Sequence, residues 1–203
     1  MPRKPRGVIG DVGIFHVYNR GNNKKPVFHD DEDCLKFRQL ILRAKRKTGI
    51  RIFYYAWMPN HYHLLVDSLN AGCLSLAMKM IEQGYSIWHR NKYGGIGHLW
   101  QDRFKSKLIS DEIYFATCSS YIELNPVRSG LCERPEQYRW TSYRGHTSSP
   151  HDRIITFDDQ YLSIGDDPLS RHRAHRELTE HRMEIGHLTS FSEESNLMKF
   201  DGV

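Results

Sequence analysis

Ile50-Arg-Ile-Phe-Tyr-Tyr-Ala-Trp-Met-Pro-Asn-His-Tyr-His-Leu-Leu-Val66 is the stretch whose reading decides the fold. The β-branched and aromatic residues from Ile50 to Met58 favour a strand. Pro59-Asn60 supplies a turn, and His61 to Val66 returns as the second strand of a hairpin. Side chains alternate across a strand, so His61 and His63 share one face while Tyr62, Leu64 and Val66 share the other, where helices can cover them. Residues two apart stand about 6.6 Å from each other at the backbone, a gap two imidazoles can close around an ion at about 2 Å. Asp67 closes the strand with an acid. Two nitrogens and a third, oxygen ligand would leave positions open for phosphate oxygens. The pair has an ordinary reading too, as histidines that face solvent or bond to their neighbours.

Working outward, Ile14-Phe-His-Val-Tyr18 reads as a short strand, followed by a loop from Asn19 to Pro26 rich in turn formers. Asp30 or Asp31 caps a helix that runs to about Lys47 and ends at Thr48-Gly49; Leu35 and Leu42, with Gln39 and Ile41 nearby, form its apolar stripe. After the hairpin a helix is predicted from about Leu74 to Arg90, with Leu76, Met80, Ile81, Tyr85 and Trp88 at helical spacing. Tyr93-Gly-Gly-Ile-Gly97 breaks it. Leu99 to Ile109 alternates as a strand. Ser110, followed by Asp111-Glu112, opens a further helix that should end near Asn125, because Pro126 disfavours helical geometry in the residue before it.

The order β-α-β-β-α-β-α is the split βαβ pattern. It predicts an α+β fold with a ferredoxin-like (RRM-like) antiparallel β-sheet, packed helices and a C-terminal, mostly helical extension. From about residue 135 the chain is polar and rich in His and Arg, interrupted by Ser148-Ser-Pro150 and Gly165-Asp-Asp-Pro168. One helix is expected from about Pro168 to Met183, and the last dozen residues read as mobile. The chain thus divides into a basic arm (1–10), a domain (11–134) and a covering or ligand-binding extension (135–203).

The length of 203 residues suits one well-buried domain with an appendage, and 39% hydrophobic with 26% charged residues is an ordinary globular composition. The net charge of +5 favours a polyanionic partner. No run of about 18 apolar residues is present, so no membrane span is expected. Met1-Pro-Arg-Lys-Pro-Arg-Gly7 lacks the apolar stretch of a signal peptide, which points to the cytoplasm. Cys34, Cys73, Cys118 and Cys132 form no Cys-x-x-Cys pair and read as reduced thiols.

Tyr121-Ile-Glu-Leu-Asn-Pro-Val-Arg128 closes the last core helix. Tyr121 and Asn125 lie one turn apart on one face. A phenol could attack there while the amide ligates a metal, but a phenol of pKa about 10 needs a nearby cation or base. Ile113, Thr117, Tyr121 and Leu124 also fall on one stripe. Spacing alone favours an ordinary core-edge tyrosine, with Asn125 as a helix stop.

Three segments in order, Tyr18-Asn-Arg-Gly-Asn-Asn23, Trp57-Met-Pro-Asn-His-Tyr-His-Leu-Leu-Val66 and Tyr121-Ile-Glu-Leu-Asn-Pro-Val-Arg-Ser-Gly-Leu131, resemble the REP-associated tyrosine transposases. These belong to the single-tyrosine branch of the HUH (His-hydrophobic-His) nucleases. The resemblance runs from about Val12 to Tyr143, and Trp140-Thr-Ser-Tyr143 and the basic helix after Asp166-Asp-Pro168 resemble the family's C-terminal part. It implies a transposase, a DNA strand transferase with site-specific endonuclease activity. Tyr121 would attack a DNA phosphate, stay joined to the 5′ phosphate and release a 3′ hydroxyl. It places His61, His63 and Asn125 as ligands of Mg²⁺ or Mn²⁺. The implied partner is single-stranded DNA with REP-type hairpins in a bacterial nucleoid, bound by a monomer or homodimer. Glu123 departs from the His that many relatives carry; two residues from Tyr121, it should point away from the site as surface variation.

For DNA, Gln101, Arg103, Lys105 and Lys107 alternate along the predicted strand and would present a row of cations to phosphates, or else form a solvated edge. Arg20, Lys24 and Lys25 in the first loop and Arg3, Lys4 and Arg6 in the arm extend the set. Tyr138-Arg-Trp-Thr-Ser-Tyr-Arg144, with Arg139 and Arg144, could stack bases or cover the core. His172, His175 and His181 lack a completing ligand pattern and read as a polar helix face that meets a DNA hairpin. Two rivals remain. A replication-initiator or relaxase-type nickase shares the His pair and tyrosine, and a non-catalytic ferredoxin-like nucleic-acid-binding module could stack bases on Ile52-Phe-Tyr-Tyr55.

Overall fold

The computed structural model describes residues 12–148 and 152–188, so Arg3, Lys4 and Arg6 of the arm and the tail after 188 lie outside the described residues. Strand β1 (Gly13–Arg20) leads to helix α1 (Asp31–Thr48), the hairpin of β2 (Arg51–Met58) and β3 (His61–Ser68), helix α2 (Cys73–Tyr93), strand β4 (Lys105–Leu108) and helix α3 (Glu112–Arg128). The strands make one antiparallel sheet in the order β2-β3-β1-β4, the topology expected from the split βαβ pattern.

Alternation gives the sheet two unlike faces. Phe15, Val17, Ile52, Tyr55, Trp57, Tyr62, Leu64 and Val66 pack with Phe37 and Ile41 of α1 and with Leu74, Ile81 and Tyr85 of α2. Phe37 is enclosed by the rings of Phe28, Trp57, Tyr62 and Tyr85, with centroids 5.1 to 5.6 Å away. The other face carries Tyr54, Ala56 and Leu65 against Phe115, Cys118 and Ile122 of α3. A register shift between Ile52 and Tyr54 puts Phe53 on that side as well. Phe53, Tyr54 and Tyr55 are all buried, so they offer no open platform for stacking bases.

Helix α1 begins as the sequence indicates. Asp30 and Asp33 form a reciprocal capping box, and Gly49 ends the helix at φ 75°, a left-handed geometry that glycine adopts without strain. The apolar stripes differ from expectation. In α1 the buried set is Cys34, Phe37, Ile41 and Ala44, with Leu35 at the surface; in α2 it is Leu74, Ala77, Met78, Ile81 and Tyr85, with Leu76 exposed. Both helices carry more apolar residues than one stripe needs; the large ring of Phe37 turns the α1 arc inward, and in α2 the expected Ile81 and Tyr85 are joined by Leu74, Ala77 and Met78 in place of Leu76.

Two boundaries also differ. Only Lys105–Leu108 of the predicted 99–109 strand forms a continuous ladder with β1; Trp100 bridges Gly21 and Lys105 faces Tyr18, five residues of this segment against three on the other side, so residues 101–104 bulge out of the ladder. Arg103 therefore does not continue the row of Lys105 and Lys107. Helix α3 starts from Asp111, whose carboxylate accepts from the Tyr114 N–H at 2.8 Å, rather than from Ser110. It also runs through Pro126 to Arg128 instead of stopping at Asn125. The proline removes a single N–H, and the last turn is closed by bonds from the N–H groups of Ser129 and Leu131 to the carbonyls of Asn125 and Pro126, each 2.9 Å.

The C-terminal region adds short helices α4 (Tyr143–Thr147) and α5 (Asp159–Ser163) and the longer α6 (Pro168–Leu188). On either side of α4 the chain runs along the outer edge of β2. Trp57 N–H donates to Trp140 O at 2.9 Å, Ser142 N–H to Tyr55 O at 2.9 Å and Thr156 N–H to Ile52 O at 2.7 Å, while Ile154 and Ile155 enter the core. This covers an edge that would otherwise be left unpaired. Tyr138 donates to Trp57 O, Trp140 stacks on Trp57 and Tyr143 is buried, so this aromatic segment covers the core. Arg139 is held by Asp31 and Arg144 by the Glu136 carbonyl. Among the described residues no helix is long and apolar enough to cross a membrane.

Phe37→Ala should lower the unfolding free energy by about 3–5 kcal/mol, the usual range for emptying a buried aromatic site. Urea unfolding followed by tryptophan fluorescence would measure it; a loss under about 1 kcal/mol would show that the α1/α2 face is not the main core.

Candidate active site

The pairing of β1 with β3 sets Tyr18 opposite His63 and Arg20 opposite His61, and the pairing with β4 sets His16 opposite Lys107 and Tyr18 opposite Lys105. Directly opposed residues share a face. All seven side chains therefore emerge on the side of the sheet that α3 crosses. Behind them, Gly21 leaves β1 so tightly that a Cβ there would lie 2.1 Å from the Lys25 carbonyl oxygen. Only glycine permits that approach, which lets Gly21 N–H bond to Asn60 O at 2.7 Å and ties the first loop to the hairpin turn before His61.

Helix α3 brings Tyr121 and Asn125 to this face one turn apart. The Tyr121 ring lies 5.5 Å from the His63 ring, and the two hairpin histidines are 5.0 Å apart, centroid to centroid. The Asn125 amide is 3.4 Å from His63 Nε2, and it raises the basicity of His61 and lowers the pKa of the Tyr121 phenol. The four side chains singled out in the sequence thus meet. Asp67 does not join them: Arg51 holds it at the other end of β3.

His16 was not foreseen. Its Nε2 shares a proton with His63 Nδ1 across 3.0 Å, and it is fully buried beside the pair. The only sequence signal was its parity with Tyr18 and Arg20 on β1, which has meaning only once the register is known. His16 turns His63 so that Nε2 points to Asn125, and Asn60 Oδ1, 2.6 Å from His61 Nδ1, leaves Nε2 of His61 as the other inward nitrogen. Such outer partners fix the orientation and tautomer of metal-binding imidazoles.

Burial holds the basicity of all three imidazoles down. His61 falls to about 4, His16 to about 3 with Lys107 adding to the effect, and His63 lies well below the usual value, with His61 and His16 adding to burial. They are neutral near pH 7 and present lone pairs, the form in which histidine binds metal. An amide turned end for end would set its oxygen where Asn125 now meets His63. Two neutral nitrogens and that oxygen fit a divalent ion with positions left for substrate. Tyr121 is pushed up to about 12 by burial, against which the Asn125 amide and the Arg128 guanidinium act.

Glu123 overturns its expected place on the surface. It is buried, because α3 has the sheet on one side and the C-terminal helices on the other. Ser142 Oγ donates to Oε1 at 2.6 Å, His146 Nδ1 to Oε1 at 2.8 Å and His175 Nε2 to Oε2 at 2.7 Å. His175 thus turns inward rather than lying on an open helix face. Glu123, His146 and His175 are also of the types that could share an ion. Two ligands on one tetrahedral zinc would sit about 3.3 Å apart, however, given metal–ligand bonds of about 2.0–2.1 Å. The observed spacings are those of shared protons. Burial alone would raise the Glu123 pKa, but His175 and His146 outweigh it and hold the carboxyl well below its ordinary range. Burial lowers the pKa of His146, with Glu123 opposing.

A histidine whose folded pKa lies below 6.5 binds fewer protons than in the unfolded chain, so it costs stability as pH falls through about 6.5. A carboxyl with a depressed pKa contributes stability above its unfolded value, near 4.5, and loses it only in stronger acid. Between pH 7 and 5 the His146 effect acts alone of the two. The melting temperature of His146→Phe should therefore fall less across that range than that of the wild type; parallel curves would disprove the assignment. Glu123→Gln should cost about 1.5–3 kcal/mol at pH 7, the worth of hydrogen bonds to a charged group.

The family model described as "Transposase IS200 like" matches residues 12–125. A solved REP-associated tyrosine transposase bound to a REP hairpin aligns at TM-score 0.59 and 20% identity over 78% of this chain and 93% of that one, a likeness of fold. A structure from Deinococcus radiodurans described as a transposase aligns at TM-score 0.41 and 19% identity, over 60% of this chain and 95% of that one, too distant to bear on the fold. None of the curated proteins matches. The family's chemistry is metal-dependent. The matched span opens just before β1 and closes on Asn125, the last side chain of the cluster, and the chain belongs to the IS200-like transposases, enzymes that move DNA.

Proposed function

We propose that this transposase cuts and rejoins single-stranded DNA at REP-type hairpins, with Tyr121 as nucleophile and His61, His63 and Asn125 as metal ligands. The observation that carries this reading is the meeting of Tyr121 and Asn125, on one helix face, with the His61–His63 pair within a single chain. A site completed by one chain also suits action as a monomer. The likeness in fold to a transposase that holds a REP hairpin supports the choice of DNA.

The chemistry is a transesterification. The Tyr121 phenol oxygen forms a bond to phosphorus, the bond from phosphorus to the 3′ oxygen breaks, and the proton lost by the phenol is balanced by one gained at the 3′ oxygen. One phosphodiester linkage is exchanged for another, so the reverse step joins a 3′ hydroxyl without an external energy source. A divalent ion on the two imidazoles and the amide would supply Lewis-acid polarisation of the scissile phosphate. Both Mg²⁺ and Mn²⁺ fit this role, and the nitrogen ligands favour Mn²⁺. The protein's own part is to hold the phenol ring against His63 and to keep the imidazoles neutral by burial.

Lys105 and Lys107 on β4, and Arg20 opposite His61, flank this cluster on the same face and would take the phosphates on either side of the cut. Lys24, Lys25 and Arg103 are exposed near the Arg20 end and would extend the track. Arg139 and Arg144, already held by Asp31 and the Glu136 carbonyl, are left out of it.

Incubation of a 3′-labelled REP-type hairpin with protein and Mg²⁺ or Mn²⁺ should yield a labelled covalent 5′-phosphotyrosine adduct, absent with Tyr121→Phe and reduced to background with His61→Ala or His63→Ala. A wild type that forms no adduct with either metal would sink the reading. In binding titrations, Lys105→Ala and Lys107→Ala should each lower the slope of log K against log salt by about 0.7, the value per phosphate contact on a single strand. An unchanged slope would remove them from the interface.

A further inference from the structure

We infer that Arg128 is a further catalytic residue of this site, a guanidinium that binds the scissile phosphate beside the Tyr121 ring. The inference rests on the function proposed above. Its first support is the course of α3. Because the helix continues through Pro126, Tyr121, Asn125 and Arg128 stand at positions i, i+4 and i+7, within an arc of about 60° at 3.6 residues per turn. A helix that ended at Asn125 would leave position 128 in a loop, with no fixed relation to the phenol. The second support is contact: the Arg128 guanidinium carbon lies 5.2 Å from the centroid of the Tyr121 ring. The third is its half-buried setting, which leaves it both packed against the ring and open to an incoming strand.

The chemistry suits the place. When the phenol oxygen adds to phosphorus, negative charge gathers on the non-bridging oxygens. A guanidinium is always charged, presents parallel N–H donors and matches two phosphate oxygens at once. Stacked over the ring it also fixes the plane of the phenol through cation–π attraction. Lys105 and Lys107, on β4, would hold flanking phosphates and so set affinity. Arg128 stands at the reacting group, where its bond strengthens as charge develops, and so sets rate.

The test separates these roles. Single-turnover cleavage of a REP-type hairpin is measured for wild type, Arg128→Ala, Arg128→Gln and Arg128→Lys, and DNA affinity for the same changes in a Tyr121→Phe background. Arg128→Ala and Arg128→Gln should slow cleavage by about 10²–10³-fold, as loss of one charge-stabilising donor does elsewhere, with affinity changed by less than about threefold. Arg128→Lys should recover only a small part, because a point charge does not reproduce the planar fork. Millimolar guanidinium or ethylguanidinium should restore cleavage to Arg128→Ala, a response that mere loss of helix structure would not give. Cleavage by Arg128→Ala within about threefold of an active wild type would overturn this inference alone. So would a rate loss matched by an equal loss of affinity, or one that no guanidinium compound relieves. A wild type without adduct would overturn the proposed function and this inference with it.

Discussion

The register between β1 and β3 is the constraint on which everything else depends. Tyr18 pairs with His63 and Arg20 with His61, and β4 continues the same parity through Lys105 and Lys107. A slip of one residue would turn each side chain of a strand to the opposite face. His16 and Tyr18 would then enter the core with α1 and α2, and Phe15 and Val17 would face α3. The apolar face prevents this, because Phe15, Val17, Tyr62, Leu64 and Val66 all lie in the α1/α2 core. Packing on one side of the sheet therefore places the polar side chains on the other.

Much of this was legible in the sequence because it rests on local rules. The hairpin from Ile50 to Val66 announces itself by β-branched and aromatic residues around a Pro-Asn turn, and its alternation separates His61 and His63 from Tyr62 and Leu64. The spacing of Tyr121 and Asn125 places them on one helix face. What was illegible depends on neighbours distant in sequence. His16 becomes part of the site only through pairing across 47 positions, and Glu123 is drawn inside by α4 and α6. Pro126 is tolerated because later residues close the last turn of α3. Ile81 and Tyr85 lie in the core as their spacing indicates, but Leu35 and Leu76 were credited with core positions that Phe37 and the Leu74, Ala77 and Met78 arc occupy, since spacing cannot rank competing stripes.

The polar groups packed against α3 are costly. His16, His63, Glu123 and Asn125 are all buried there, and buried polar groups are tolerated only when paired. Here they pair with one another: His16 with His63, His63 with Asn125, and Glu123 with Ser142, His146 and His175. The pairs form two adjoining networks on one helix, the first beside the proposed nucleophile and the second on the far side of α3. Local departures from good core composition of this kind are characteristic of functional sites, where stability is given up for chemistry.

The second network ties the history of one part of the chain to that of another. Glu123 sits within residues 12–125, which the family model recognises, but its partners at 142, 146 and 175 all come later. A change at position 123 alone would leave two imidazoles and a hydroxyl facing no acid, and a change at 146 or 175 alone would leave an acid short of a donor. Neither is a neutral step, so a change at one of these positions gains from a matching change at another. Exchange of α3 between relatives would carry the same debt, because the helix that bears Tyr121 travels intact only when the C-terminal helices that hold its buried acid travel with it.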